Sequence, residues 1–173
     1  MTIGPWKPVY LQTYENRIAD LFIKSSVSES LEVELTATGT LAEKATGFAS
    51  FVLKGPDGTI AASSNKIPTD SGQYKVSFKF DAGTLSLWYP VGYGEQPLYI
   101  VETEIADVEG KLLDSKTKKI AFRRAQIVQD PLEEQEGRSF LFEINNIRIF
   151  CGGSNWIPAD SFLTTFVLVI LSS

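Results

Sequence analysis

Apolar and polar side chains alternate along most of this chain with a period of two residues, the pattern of half-buried β-strands. In the stretch LEVELTA, Leu31, Val33 and Leu35 fall on one face, and glutamates and a threonine fall on the other. Residues 75–80, KVSFKF, repeat the pattern with a valine and two phenylalanines opposed to polar residues. Both segments therefore predict antiparallel strands with one face in a core.

Similar alternation predicts further strands, and turn signals separate them. The predicted strands are Pro8 to Tyr14, Ile18 to Val27, Gly47 to Lys54, Pro97 to Ile105, Lys111 to Phe122 and Ala125 to Gln129. The turns are Gly55 to Gly58, Thr69 to Gly72 and Asp107 to Gly110, which are rich in glycine, aspartate and proline. Many short strands without a convincing helix favour an all-β fold, an immunoglobulin-like antiparallel β-sandwich, over a barrel.

Composition removes several classes of function. The 173 residues carry 16 basic and 21 acidic side chains, a net charge of -5, with no basic run longer than Arg123-Arg124. We therefore expect no nucleic-acid partner and no acidic membrane surface. The chain has no histidine, which excludes a Ser/His/Asp triad, a Cys/His pair and a histidine-based metal site. No metal and no cofactor are expected.

The single cysteine and the amino terminus bear on the compartment. Cys151 alone cannot form an internal disulfide, and we expect it to be a small buried apolar residue rather than a nucleophile. The first residues lack a secretory signal, and no window reaches the roughly 20 apolar residues that span a bilayer. These features predict a soluble, cytoplasmic protein.

From Asp130 onwards the alternating pattern gives way to a segment rich in acidic residues. The stretch DPLEEQEGR, residues 130–138, places several carboxylates around a proline and a glycine, which indicates an exposed linker rather than a general acid and base. The following stretch, residues 139–153, predicts a β-hairpin in which Asn145-Asn146 makes the turn.

Three stretches resemble the β-mannosidases and their relatives among the family 2 glycoside hydrolases. They are GPWKPVYL at Gly4 to Leu11, LWYPVGYGEQPLY at Leu87 to Tyr99, and FRRAQIVQDPLEEQEGRSFLFEINNIRIFCGGSNWIPADSF at Phe122 to Phe162. They occur in the family's order and cover most of the chain to about Thr164.

The resemblance implies a division of the chain. Residues 1–8 would be the remnant of a preceding sugar-binding jelly roll or a linker, and 9–129 the immunoglobulin-like sandwich. Residues 130–163 would be a linker, a hairpin and the first strand of an incomplete catalytic (β/α)8 barrel. The apolar tail 164–173 departs from the family, which suggests a read-through intron, a shifted frame or a mis-predicted gene end.

The resemblance also implies a function and a site. The complete enzyme would remove terminal β-linked mannose from oligosaccharides with retention, using two glutamates beyond residue 173. Asn155, Trp156 and Asp160 would border the substrate pocket, because barrel enzymes build their sites at the carboxyl ends of the strands. Trp156 could instead pack the barrel mouth, and Asp160 could cap a helix that starts at Ser161.

A second function stays open at this point. A stand-alone carbohydrate-binding or interaction module of sandwich fold could use Trp88, Tyr89, Tyr93 and Tyr99 as a sugar platform. The same loop could instead pack between domains. We expect Arg123-Arg124 and Tyr89-Pro90 to hold the sandwich against the barrel rather than to contact sugar.

Overall fold

The computed structural model describes residues 4, 7–133, 135–155 and 157, and in these ranges it contains ten β-strands and no α-helix. The strands are β1 (Ile18–Val27), β2 (Val33–Leu41), β3 (Phe48–Lys54), β4 (Ile60–Pro68), β5 (Gln73–Phe80), β6 (Tyr99–Ala106), β7 (Leu112–Ile120), β8 (Ala125–Val128), β9 (Leu141–Ile144) and β10 (Ile147–Ile149). Every paired neighbour is antiparallel within this described part of the chain.

Two sheets form the sandwich that the alternation predicts. One has the strand order β1-β2-β5 and the other β4-β3-β6-β7. Their facing sides bury Leu35, Phe51, Leu53 and Val101 completely, each at 0% exposure. Burying one such side chain contributes about 1.5–3 kcal/mol, so the alternating strands supply the main stabilisation of the sandwich. The immunoglobulin-like sandwich is confirmed.

The glycine-containing turns are also where the sequence places them. In each of the three, the last glycine has a positive φ and donates its amide N–H to the carbonyl oxygen of the first residue of the turn. For Gly58, φ is 84° and the distance from its nitrogen to the Gly55 oxygen is 3.0 Å. A residue with a β-carbon rarely adopts that conformation, which explains why glycine ends each turn.

A small third sheet, in the order β10-β9-β8, follows the sandwich. Ile144 and Ile147 pair across the two-residue turn Asn145-Asn146, whose φ angles of 48° and 67° are those of a type I′ hairpin. The predicted hairpin is thus confirmed. Strand β8, which the sequence analysis included in the sandwich, pairs with β9 of this hairpin instead.

Three local expectations need correction. The predicted strand at Pro8 to Tyr14 is wrong, because this exposed segment has no strand neighbour to form a hydrogen-bond ladder. Leu31 lies in the turn before β2 with a φ of 65°, so the buried alternation begins at Val33. Strand β4 was not predicted, since its sequence IAASSNKIP has little apolar alternation at this sheet edge.

Candidate functional site

The predicted substrate-binding residues lie at the end of the described chain. Asn155 is exposed and follows β10 in a stretch, residues 151–155, that belongs to none of the ten strands. Trp156 and Asp160 lie outside the described residues. Cys151 is exposed, so the expectation that it is buried is wrong. Because this stretch comes soon after β10, the contacts of the small sheet fix the position in space from which it begins.

Asn145 is the central residue of the junction between the sandwich and the small sheet. It is 3% exposed, and its side chain bonds on both sides. Its Nδ2 donates to the Trp88 carbonyl oxygen at 3.0 Å, and its Oδ1 accepts from the Arg124 amide at 2.9 Å. The Asn145 amide also donates to the Arg124 carbonyl oxygen at 2.9 Å. One buried side chain thus joins the hairpin turn, the approach to β8 and the loop after β5.

The Arg124 guanidinium holds a second set of contacts beside Asn145. Its Nη1 lies 3.0 Å from Glu143 Oε1 and 3.1 Å from Asn146 Oδ1, and its Nη2 lies 2.6 Å from Gln126 Oε1. Gln126 Nε2 donates to the same Glu143 oxygen at 2.6 Å. The side chains of Arg124 and Glu143 are only 17% and 15% exposed. Such charge-assisted, interlocking hydrogen bonds restrict the relative movement of the strands that carry them.

Two further bonds tie the hairpin turn and the residue after β10 to the sandwich. Asn146 Nδ2 donates to the Glu29 carbonyl oxygen, in the turn between β1 and β2, at 2.8 Å. The Phe150 amide donates to the Tyr93 hydroxyl at 3.0 Å. The chain that enters Cys151 to Asn155 is therefore anchored immediately before it leaves the small sheet.

The aromatic residues considered as a sugar platform are occupied by other contacts. The Arg123 guanidinium carbon lies 4.8 Å from the centre of the Trp88 ring. Tyr99 is 4% exposed, and its hydroxyl accepts from the Ser86 amide at 2.8 Å. The Tyr93 hydroxyl accepts a hydrogen bond from the Phe150 amide. Tyr99 is therefore buried and cannot belong to an open platform, whereas Trp88 and Tyr93 contact residues of the junction.

Comparison with known proteins places this chain in a family. The model of the family described as Glycosyl hydrolases family 2 matches residues 16–123, which is most of the sandwich. The chain belongs to glycosyl hydrolase family 2.

Several relatives of this family 2 chain carry the name of one enzyme. The chain is 41% identical over 163 residues to "Beta-mannosidase B" of Thermothelomyces thermophilus. The matched region covers 94% of this chain and 19% of the relative. The chain is 36% identical over 168 residues to "Beta-mannosidase B" of Emericella nidulans, with 95% of this chain and 19% of the relative covered. The chain thus spans about a fifth of the length of these curated relatives.

Solved structures agree with the fold of the family 2 chain. The β-D-mannosidase of Dictyoglomus thermophilum superposes with a TM-score of 0.66 at 28% identity, covering 87% of this chain and 18% of that one. The β-glucuronidase of Parabacteroides merdae reaches a TM-score of 0.59 at 17% identity, covering 78% and 16%. The second likeness concerns the fold alone.

Among the described residues of the family 2 chain, two carboxyl groups have shifted pKa values. A hydrogen bond and the charge of Lys79 lower the pKa of Glu34, and hydrogen bonds from the Thr59 hydroxyl and amide lower that of Asp57. Both shifts favour the ionised carboxylate, whereas a general acid must hold its proton near neutral pH. Glu133 and Glu136 of the acidic stretch are exposed. These four carboxyl groups therefore lack the environment of a glycosidase acid.

Two features are absent from the part of this family 2 chain that the structure describes. No group of three or more aspartate, glutamate or cysteine side chains in that part of the chain is arranged to hold a metal ion. Within the same residues, no helix is long and apolar enough to cross a membrane.

What sequence reasoning missed is the closed network around Arg124. The pair Arg123-Arg124 was assigned a holding role, but neither Asn145 nor Glu143 was identified as a partner. The Asn-Asn turn was the available signal, because asparagine tolerates positive φ and carries a donor and an acceptor. Local spacing could not predict the hydrogen-bond partners of Asn145, because one of them, Trp88, is 57 residues away in the chain.

Proposed function

We propose that this chain is the sandwich and junction of a β-mannosidase that hydrolyses terminal β-linked mannose from oligosaccharides. The observation that carries this proposal is the 41% identity, over 94% of the chain, to a relative named Beta-mannosidase B. The 28% identity to a solved β-D-mannosidase supports the same substrate class.

In this proposal the chain contributes position rather than the catalytic carboxyl pair. Retaining glycosidases need a protonated carboxylic acid and a carboxylate about 5 Å apart in a pocket that limits water. The acid/base and nucleophile glutamates would come from the parts of the enzyme that this chain does not match. The chain alone would then have no hydrolytic activity.

The junction supports a positioning role. Asn145 and Arg124 connect the sandwich to the hairpin, and the hairpin leads directly into Gly152 to Asn155. In the complete enzyme, Asn155, Trp156 and Asp160 would meet the mannoside, with amide and carboxylate groups on its hydroxyls and the indole ring on its apolar face. A rigid junction would hold these groups in place without paying for their ordering at each binding event.

The test has two arms that use one chromogenic substrate, an aryl β-mannoside. In the first arm the purified chain alone is expected to give no turnover above a boiled sample. In the second arm, the 163 residues of the chain that match the Thermothelomyces relative replace their counterparts in that enzyme. The hybrid is expected to cleave the aryl β-mannoside and to discriminate against the corresponding β-galactoside and β-glucuronide.

The hybrid also tests the junction itself. Arg124→Met in the hybrid should lower kcat/KM for the β-mannoside, whereas Lys75→Met on the exposed face of β5 should leave it unchanged. A folded hybrid with no β-mannosidase activity, or with a preference for another glycoside, would refute the proposed substrate. Turnover by the chain alone that vanished on replacing one of its carboxylates would refute the positioning role.

A further inference from the structure

One side of the sandwich is closed by charged side chains instead of a strand ladder. Strand β1 is at the edge of one sheet and β7 is at the edge of the other. The register pairs Asp114, Lys116 and Lys118 of β7 with Ile105, Thr103 and Val101 of β6. The three β6 residues are buried. Cross-strand partners share a face of the sheet, so these charged residues are on the inner face of β7. An inner face normally carries apolar residues.

These three side chains reach across the opening to the main chain of β1. Asp114 Oδ2 accepts from the Ile18 amide at 2.9 Å, Lys116 Nζ donates to the Ala19 carbonyl oxygen at 3.1 Å, and Lys118 Nζ donates to the Leu21 carbonyl oxygen. The carboxylate thus meets an N–H group and the ammonium groups meet carbonyl oxygens. Each charge is matched to the polarity of the main-chain group that it contacts.

A β-bulge in β1 makes this arrangement possible. The β1–β2 register shifts between Ile18 and Asp20, which leaves Ala19 as an extra residue. In a regular strand, the N–H of one residue and the C=O of the next point to opposite sides. Here the Ile18 N–H and the Ala19 C=O both point away from β2, towards the side chains of β7.

We propose that Asp114, Lys116 and Lys118 form an edge guard, which prevents β1 from pairing with a second copy of this chain. An exposed edge strand offers unpaired N–H and C=O groups to any suitable strand, and inward-pointing charges are one means of preventing such pairing. The guard occupies three of those groups in the first part of β1, the Ile18 N–H and the C=O groups of Ala19 and Leu21. This inference does not depend on the proposed function.

The sequence of β1 indicates why a second copy is the strand to exclude. If two β1 strands paired antiparallel around Phe22, Phe22 would face Phe22 of the second copy. Asp20 would then face Lys24 of that copy, and Lys24 would face its Asp20. Opposite charges and aromatic pairs at facing positions stabilise antiparallel strands. Phe22 is 61% exposed, so its ring is available for such a contact. The pairing is two-fold symmetric, as expected of a homodimer.

The experiment removes the two ammonium groups from the full chain. Lys116→Met/Lys118→Met retains the aliphatic stems and deletes the donors, and we expect it to dimerise with a dissociation constant at least about tenfold below that of the control. The control is Lys75→Met/Lys119→Met, which changes the net charge equally. It removes two exposed lysines whose side chains, among the described residues, donate no hydrogen bond to the main chain. Light scattering after size-exclusion chromatography measures the mass.

A second measurement locates the contact. Hydrogen exchange followed by mass spectrometry should show new protection in the peptide covering residues 17–27 of the dimer. Lys116→Arg/Lys118→Arg restores the donors and should stay at the wild-type mass. Adding Lys24→Asp to the dimerising variant would place like charges at facing positions, and it should return the chain to the wild-type mass.

Three results would overturn the proposal. They are a folded Lys116→Met/Lys118→Met variant of wild-type mass, equal dimerisation of the control, and a dimer without protection in residues 17–27. If the double variant does not fold, Lys116→Met and Lys118→Met are measured singly. Each leaves one ammonium in place, and wild-type mass in both folded single variants would refute the edge guard.

Discussion

Tyr74 of β5 faces Gly39 of β2, and its ring occupies the space where a side chain at residue 39 would lie. The two residues are partners in the strand register, and a β-carbon added to Gly39 would be 2.0 Å from Tyr74 Cζ. This approach brings the Tyr74 hydroxyl to 3.0 Å from Thr103 Oγ1, and Thr103 donates to the Ser50 carbonyl oxygen at 2.7 Å. Because the single Thr103 proton is used on Ser50, Tyr74 is the donor to Thr103. A buried polar chain therefore joins the two sheets.

Gly39→Ala should destabilise the sandwich. The new methyl group would overlap the Tyr74 ring, so the ring must move and weaken its bond to Thr103. Overpacking of this kind costs about 1–3 kcal/mol of the free energy of unfolding. Urea denaturation would measure it. Gly153→Ala is the control, since nothing lies within 4 Å of a β-carbon at that position. Equal effects of the two substitutions would contradict the steric explanation.

Alkaline pH should reveal the burial of Tyr74. Removal of this side chain from water raises its pKa above the ordinary tyrosine value, and the charge of Asp114 adds to the rise. The folded state therefore holds the phenol proton more tightly than the unfolded state. This tighter binding of the proton contributes to the free energy of unfolding. The contribution is fully present below the ordinary tyrosine pKa and is lost as the pH rises through the pKa of the folded state. Tyr74→Phe should reduce this alkaline loss, as followed by urea denaturation at successive pH values. An unchanged pH profile in the variant would refute the assignment.

Asn145 and its neighbour Asn146 allow a matched comparison at the junction. Both have positive φ, so glycine fits either position without strain, and the substitutions differ in the hydrogen bonds they remove. Asn145→Gly leaves the Arg124 amide and the Trp88 carbonyl oxygen without their partner, and it should cost about 2–3 kcal/mol.

Asn146→Gly loses exposed contacts and should cost less than about 1 kcal/mol. Thermal unfolding, together with amide exchange at Arg124, would compare the two variants. If Asn146→Gly were the more damaging substitution, Asn145 would not be the centre of the junction.

The Arg124–Glu143 pair should show a coupling energy that a more solvated pair lacks. A double-mutant cycle of Arg124→Met and Glu143→Gln is expected to give about 1–2 kcal/mol, because both side chains are mostly buried and share Gln126. The pair Lys54–Glu102, with side chains 34% and 38% exposed, should give less than about 0.5 kcal/mol in the same cycle. Similar coupling in the two cycles would mean that the junction network adds nothing to a simple surface ion pair.

The local sequence was sufficient to predict most of the strands and their turns. Alternation around Val33 and Leu35, or at residues 75–80, reflects the two faces of one strand, and this relationship involves only neighbours in the chain. Glycine at positions 58, 72 and 110 likewise reports a local backbone need, a positive φ. The Asn-Asn turn was predictable for the same reason.

The tertiary structure decided which strands meet and what the exceptions to the pattern mean. Strand β8 looks like one more strand of the sandwich, yet its partner is β9 because the Asn145-Asn146 turn docks against Arg124 and Trp88. The charged residues at 114, 116 and 118 look like a solvent face, and only their register with β6 shows that they face inward.

The physical reason is the range of the interactions. Periodicity records the environment of each residue, inside or outside, but a hydrogen bond between Asp114 and the Ile18 amide joins groups 96 residues apart. Its partner is chosen by how the two sheets pack and by the bulge at Ala19, and local spacing carries no information on either. The sequence alone thus determined most of the strands and the turns, whereas packing between distant strands decided the junction and the closed edge.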